Sequence, residues 1–336
     1  MSDLDRFTTR FDTALGHRKG LLKGTITDAC RVFSGQADGW DGIFVDRYGP
    51  GAVLIEYKGR KQDNLNIRDC ADLVLERLKP YGVQAVYYKP FVRDRSRLSG
   101  QLPPETTDAT PLSGRPLPEG ILIREHVWKL EIRLYDGLST GLFLDQRNNR
   151  QWVYERVRRR DKVQILNTFA YTCGFSVAAA VGGAHTTSVD VSARYLEWAK
   201  RNFEHNGLDP LMHRFVRMDT LEFLAYAQKK NLKYDLVILD PPSFASGNKR
   251  KKVRPWSAVS DYPKLIEQTM KVLKPGGAVL ASTNTQALCR ENKLQRMIQN
   301  VSGRRVRWVE LPPVPEDFSR EQDRFRAVAF ELSQAV

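Results

Sequence analysis

Cysteine is scarce in this chain of 336 residues: Cys30, Cys70, Cys173 and Cys289 stand far apart and make no Cys-x-x-Cys pair. That spacing speaks against a zinc knuckle and a disulfide framework, and it predicts reduced thiols in a cytoplasm. No apolar run is long enough to span a bilayer, and the opening MSDLDRFTTRFDTALGHRKG carries acids where a signal peptide needs an apolar core. Membrane insertion and secretion are therefore not expected. No segment repeats at a fixed period. Gly-x-Gly-x-x-Gly, the turn that lets backbone approach a pyrophosphate, is also missing, which disfavours a nicotinamide dehydrogenase.

What is present reads as a soluble, folded chain. Hydrophobic residues make up 41% and charged residues 27%, with Gly and Pro dispersed, so fibrous and wholly disordered classes are excluded. The length suits two domains. Lys and Arg number 53 against 39 acids, and the resulting charge of +14 favours a polyanionic partner such as nucleic acid or an anionic membrane face. A merely basic, solubilising surface is the plainer explanation.

After an N-terminal arm, residues 1–25, short strands separated by glycine turns (TDACRVFSG, GIFVDRYG, AVLIEYKG), an amphipathic helix from Leu65 to Leu78 and a strand from Val83 to Lys89 describe a small α+β domain over 26–100. The Pro- and Thr-rich stretch 101–120 reads as a linker. WKLEIRL alternates apolar with charged residues, so 121–160 is expected to hold a hairpin and a connecting helix. From about Val163, strands (VQILNT, TTSVDV, HRFVRM, YDLVILD, GGAVLAST) alternate with helices, which predicts an α/β, Rossmann-like, doubly wound parallel sheet over 161–336. RRVRWVELPPV and RFRAVAFEL leave no room for a crossover helix, so the sheet should close with an antiparallel C-terminal hairpin.

In such a sheet a ligand binds outside the carboxyl ends of the strands, where strand order reverses. The first loop, Asn167-Thr-Phe-Ala-Tyr-Thr-Cys-Gly174, has one glycine and suits a ligand without phosphate; Asn167, Phe169, Ala170, Tyr171, Thr172 and Gly174 are its candidate contacts. Asp190, followed by Ser192, ends the second strand, where its carboxylate could accept from a ribose diol or cap the next helix. Asp219, beside Thr220, could take an adenine amine or serve only as a cap. Asp240-Pro241-Pro242-Ser243-Phe244 is the sharpest signal: paired prolines stiffen the loop, Phe244 could stack on a planar base, and Asp240 could hold its edge. The basic segment that follows, including Lys249, Arg250, Lys251, Lys252 and Arg254, could neutralise phosphates or simply be a solvated loop.

The runs TGLFLDQR (Thr140–Arg147), NTFAYTCGF, GGAHTTSVDVSARYLEWAKRNFEHNGL and DPPSF resemble the bacterial large-subunit ribosomal RNA methyltransferases of the I and K types, from about Leu138 to the C-terminus. DGWDGIFVDRYG is similar to that family's middle domain. The resemblance implies an S-adenosylmethionine-dependent methyltransferase domain, RNA as partner, and pocket-wall roles for Phe143, Asp145 and Arg147. By the same resemblance, Cys173 stands where such relatives commonly have glycine, and the chain is expected to lack a full N-terminal RNA-binding module of the kind that the I type carries.

Cytosine C5 methylation needs a cysteine thiolate, whereas guanine N7 is already nucleophilic. In the cytosine branch of this family a cysteine follows the fifth strand, but here the strand runs Ala281-Ser-Thr-Asn284-Thr with no thiol. Asn284 and the closing DFSREQDRFRAVAFEL resemble the guanine N7 branch, and that resemblance implies direct methylation of guanine N7 in RNA at a site of Asp240, Pro241, Pro242, Phe244 and Asn284, without a metal. Methylation of an exocyclic amine or cytosine C5 is the alternative, and a non-catalytic RNA-binding or assembly factor is the rival from another class.

Overall fold

A computed structural model describes residues 2–59, 65–92, 102–247, 254–302, 306–321 and 324–332. Of the basic segment, Lys249, Arg250, Lys251 and Lys252 lie outside the described residues. The chain packs as two units, Met1–Leu144 with Glu316–Arg320, and Asp145–Pro315 with Glu321–Val336.

The first unit begins with α1 (Asp3–His17), opened by a capping box between Ser2 and Asp5, and a short α2 (Lys19–Leu22). Its sheet runs β1 (Ala29–Ser34), β2 (Ile43–Tyr48), β3 (Gly51–Lys58), β4 (Ala85–Val92) and β5 (Ser113–Gly114), in that spatial order, with α3 (Ile67–Leu78) connecting β3 to its parallel neighbour β4. The fully buried Phe7, Phe11 and Phe33 gather with Trp40 in the core, on the face that α1 covers. The 101–120 stretch supplies β5, which pairs with β4, and a hairpin of β6 (Ile121–Glu125) and β7 (Trp128–Ile132) follows within the same unit. The second segment of this unit is tied in by Asp317, whose Oδ2 accepts the Arg31 amide at 2.9 Å.

The second unit opens with α4 (Arg147–Val157), and then strand and helix alternate: β8 (Gln164–Thr168), α5 (Gly174–Val181), β9 (His185–Asp190), α6 (Ala193–Glu204), β10 (Arg214–Arg217), α7 (Thr220–Lys229) and β11 (Tyr234–Leu239). A small hairpin, β12 (Phe244–Ala245) with β13 (Trp256–Ser257), leads into α8 (Ala258–Met270) and β14 (Leu273–Thr283). After α9 (Gln286–Cys289) and α10 (Lys293–Ser302), β15 (Val306–Val309) and β16 (Arg326–Leu332) close the sheet. The order is β10-β9-β8-β11-β14-β16-β15, with β8 to β11, β14 and their neighbours parallel and β16 antiparallel to both β14 and β15. This is the α/β sheet with an antiparallel ending that the alternating pattern predicts.

Parallel strands covered on both faces should be apolar throughout, and Leu236, Val237, Ile238 and Leu239 of β11 are indeed buried. β14 begins three residues before the predicted Gly276 because Lys274–Gly277 bulges out of register between Leu273 and Ala278. Gly276 takes φ 70°, and a Cβ on Gly277 would come within 3.0 Å of two backbone oxygens, so only glycine fits both positions. Strand order reverses at the β8–β11 pair, which places the loops after β8, β9, β10 and β11 around one crevice.

Phe223 of α7 is fully buried in the core of the second unit. Truncation to Ala should destabilise it by about 3–5 kcal/mol, the usual cost of deleting a buried aromatic ring. Denaturant unfolding monitored by circular dichroism checks this; a loss under about 1 kcal/mol would mean that the site collapses around the gap.

Candidate active site

The loop after β8 is held under strain. Phe169, Tyr171 and Cys173 take φ values of 52°, 51° and 65°, a region that costs an L-residue roughly 1–2 kcal/mol. Alternate residues in this conformation persist only where neighbours over-determine them. Here the Ala170 amide donates to Val189 O at 3.0 Å, the Cys173 amide to Ala170 O at 2.8 Å, and the Tyr171 amide to Asp190 Oδ2 at 2.9 Å. Glycine would take the left-handed backbone of Cys173 without this cost. Burial pushes that thiol up to about 12, the opposite of an activated nucleophile.

Asp190 joins two loops: Oδ2 takes the Tyr171 amide and Oδ1 takes the Ser192 amide at 2.8 Å. A carboxylate has about four lone-pair sites, so acceptor capacity remains for a ribose diol. Burial pushes its carboxyl above the usual range, against the opposing pull of these backbone amides. Ser192 caps α6, its Oγ accepting from the Tyr195 amide at 3.3 Å. Asp219 is the N-cap of α7, with Oδ1 accepting from Leu221 and Glu222 at 2.9 and 3.3 Å, so the capping alternative describes that oxygen and Oδ2 makes neither contact. Thr220 and Thr172 are buried. Asn167 is buried too, and its amide donates to Ser176 Oγ at 2.9 Å, so this side chain serves the packing of α5 on the sheet.

Across the crevice, Asp240 accepts from Ser282 Oγ at 2.7 Å. Gln146 donates to the same Ser282 Oγ at 2.9 Å and accepts from Asn149 Nδ2 at 2.7 Å. Burial raises the Asp240 carboxyl, while hydrogen bonds from Ser282 and Gln146 and the charge of Arg150 hold it back. Gln146, Asn149 and Arg150 share one face at helical spacing and are all buried, a polar layer that sequence reasoning missed. The i, i+3, i+4 spacing of amide and guanidinium groups in DQRNNR was the available signal. Of the other residues expected in the pocket wall, Arg147 is buried, Asp145 is half-buried, and Phe143 belongs to the first unit, with 48% of its surface exposed.

The proline loop is fixed by the residue two positions beyond Arg254 of the basic segment. Trp256 is buried; its Nε1 donates to Pro242 O at 2.8 Å and its ring packs on Phe169 at 5.1 Å between centroids. The loops after β8 and β11 therefore meet, as a shared cavity requires. Pro241 is buried, Pro242 is exposed, and Phe244 presents 68% of its surface. Asn284 is exposed, its Oδ1 accepting from Ser243 Oγ at 2.6 Å, which leaves its amide nitrogen facing outward from that bond. Arg254 pairs with Asp261 at 3.3 Å and lies over the Trp256 ring. Among the described residues no three His, Cys, Asp or Glu side chains come together as a metal site, and no helix is long and apolar enough to cross a membrane.

A doubly wound sheet with a reversed final strand, a strained loop that carries one glycine and no pyrophosphate turn, and acids at successive strand ends define a Rossmann-like enzyme that binds S-adenosylmethionine and transfers its methyl group. The chain belongs to the S-adenosylmethionine-dependent methyltransferase family, whose model matches residues 98–324. It is 35% identical to YwbD of Bacillus subtilis, provisionally named a ribosomal RNA large subunit methyltransferase, over 93% of this chain and 75% of that protein. It is 33% identical to the ribosomal RNA large subunit methyltransferase K/L of Shewanella loihica, matching 83% of this chain but only 37% of that longer protein. A solved methyltransferase in complex with SAH superposes with a TM-score of 0.80 at 28% identity, covering 98% of this chain and 82% of its own.

Because burial makes Asp190 hold its proton to higher pH than a free aspartate, acidification should remove a ribose acceptor early. S-adenosylmethionine affinity should therefore fall from neutral pH into the acid range, and Asp190→Asn should abolish that dependence. Calorimetric titration across pH checks it; a flat wild-type profile would remove Asp190 from the ribose contact.

Proposed function

We propose that the chain methylates a base of large-subunit ribosomal RNA, at guanine N7, by direct transfer without a covalent enzyme–base intermediate. The observation that carries this reading is the largely exposed Phe244 ring on the loop that begins at Asp240 and is bonded through Ser243 to Asn284, with no accessible thiol: all four cysteines are buried. The names of the relatives support ribosomal RNA as the substrate, and the charge of +14 suits it.

When bound, S-adenosylmethionine supplies an electrophilic methyl group on a sulfonium. Phe244 offers a flat face on which a splayed-out base can stack. Asn284, anchored through Ser243, presents its amide to the base edge. The N7 lone pair needs no general base, so positioning supplies most of the acceleration. Transfer would form the N7–C bond as the sulfonium S–C bond breaks to leave a neutral thioether, and the positive charge gained by the purine would be stabilised by the Asp240 carboxylate, held by Ser282 and Gln146. Cytosine C5 chemistry finds no nucleophile here: Cys289 donates to Thr283 O at 3.4 Å within the fold, and the Cys173 thiol is pushed up to about 12. An exocyclic amine remains the second reading, because the raised Asp240 carboxyl could accept the proton that such a reaction releases.

Phe244→Ala should lower methylation about 5- to 100-fold, the value of one base stack, with S-adenosylmethionine affinity intact; equal losses in both would refute the stacking role. Mass spectrometry of nucleosides from modified ribosomal RNA should place the methyl on guanine N7, and finding it on an exocyclic nitrogen or on cytosine C5 would replace this reading.

A further inference from the structure

The last strands of the second unit line a half-open cavity of about 770 Å3, which shares Asp145 with the expected cofactor-pocket wall but none of the proposed base-site residues. Its place in the sheet is defined: Arg326, in its wall, sits opposite Thr283 in the β14–β16 register, and Asn284 of the proposed base site follows Thr283 directly. The volume lies within the ~300–1,000 Å3 usual for small-ligand pockets.

The lining is neither an apolar groove nor a plain basic patch. It carries two guanidinium groups, Arg296 and Arg326, five carboxamides and one carboxylate, Asp145. Trp308, 37% exposed, supplies an aromatic face, and the run Pro312–Pro315 supplies a stiff wall with few N–H donors. The wall is braced: Asn148 Nδ2 donates to Pro313 O at 2.9 Å, and Arg326 Nη2 to Asn292 Oδ1 at 2.7 Å. On the rim, Glu291 and Asn292 take consecutive left-handed conformations, φ 54° and 55°, a strain that tends to mark ligand clamps.

We infer that this cavity receives a nucleotide of the substrate RNA that flanks the methylated base. This inference rests on the RNA reading above and adds the element that selects the strand. Arg326, Asn292, Asn148 and Asn149 brace the wall, and the other groups match parts of an unpaired nucleotide: the Arg296 guanidinium meets phosphate, the Trp308 ring stacks on the base, and the Gln299 carboxamide, with donor and acceptor on one plane, pairs with a base edge. An acidic peptide would use the guanidinium but leave the carboxamide and the ring without a role. The pocket is also wired to the chemistry. Asn149 lines it and donates to Gln146, Gln146 donates to Ser282, and Ser282 donates to Asp240, at 2.7, 2.9 and 2.7 Å. A flanking nucleotide seated here contacts the far end of the chain of bonds that orients the Asp240 carboxylate.

The test compares the full chain with Arg296→Glu and Trp308→Ala for binding and methylation of a large-subunit ribosomal RNA transcript over a range of salt. S-adenosylmethionine calorimetry serves as the check that each variant is folded; Arg296 is exposed, so its substitution spares the core. The expected result is RNA affinity weakened about 5-fold or more in each variant, a shallower salt dependence for Arg296→Glu, and unchanged cofactor affinity. Variants that bind RNA like a wild type that does methylate it would overturn the pocket and leave the function standing. A wild type that neither binds nor methylates RNA would overturn both, and protection of the variants' lost affinity by an acidic peptide rather than RNA would reassign the cavity to a protein partner.

Discussion

The second unit depends on one carboxylate. Asp190 accepts the Tyr171 amide with one oxygen and the Ser192 amide with the other, and in doing so it fastens a turn with three left-handed non-glycine residues to the end of β9. An amide left unpaired in a buried setting costs about 1–3 kcal/mol, comparable to the strain at each of these residues. Loss of the carboxylate would therefore free the turn to relax and move the groups that line the cofactor crevice. From the same turn, Phe169 packs on Trp256, and Trp256 donates to Pro242 O. The loops after β8 and β11 are thus one continuous piece of packing, so that on the proposed reading a methyl donor and a flat acceptor would be positioned by shared contacts.

How much of this the sequence discloses follows from the kind of interaction. Buried parallel strands are apolar runs, so β8, β9, β11 and β14 are legible within a few residues. Asp190 is legible because the end of the second strand is a defined place in a doubly wound sheet. The direction of the Asn167 side chain is not legible from its place in the loop motif: successive strand residues point to opposite faces, and this one turns to Ser176 on α5. Gln146 and Ser282 are 136 residues apart and neither belongs to a periodic stripe, so their bond leaves no pattern to read. Trp256 follows a run of Lys and Arg and reads as part of a nucleic-acid arm, yet its indole has a backbone oxygen to satisfy inside the fold. Polar contacts between distant segments, which set the fine geometry of this site, are the ones that periodicity cannot carry.

The acceptor side combines rigidity with incomplete solvation. Paired prolines stiffen the loop after β11, Tyr262 fixes the Ser282 backbone through a 2.8 Å bond to its oxygen, and the Ser282 hydroxyl with Gln146 fixes Asp240. These bonds satisfy part of the Asp240 carboxylate, while burial still pushes its proton affinity up. That is the condition of a group whose negative charge is poorly compensated in the resting protein. For direct transfer to guanine N7, no proton has to be removed from the acceptor; what changes is the location of one positive charge. A desolvated carboxylate held in place attracts that charge more strongly than a solvated one, because no water must reorganise when the charge arrives. On the reading proposed above, the burial that makes the Asp240 charge unfavourable in the resting site would favour the methylated product-like state over the reactants. A site built for cytosine C5 would place its investment in a reactive thiol, and here every thiol lies within the packing.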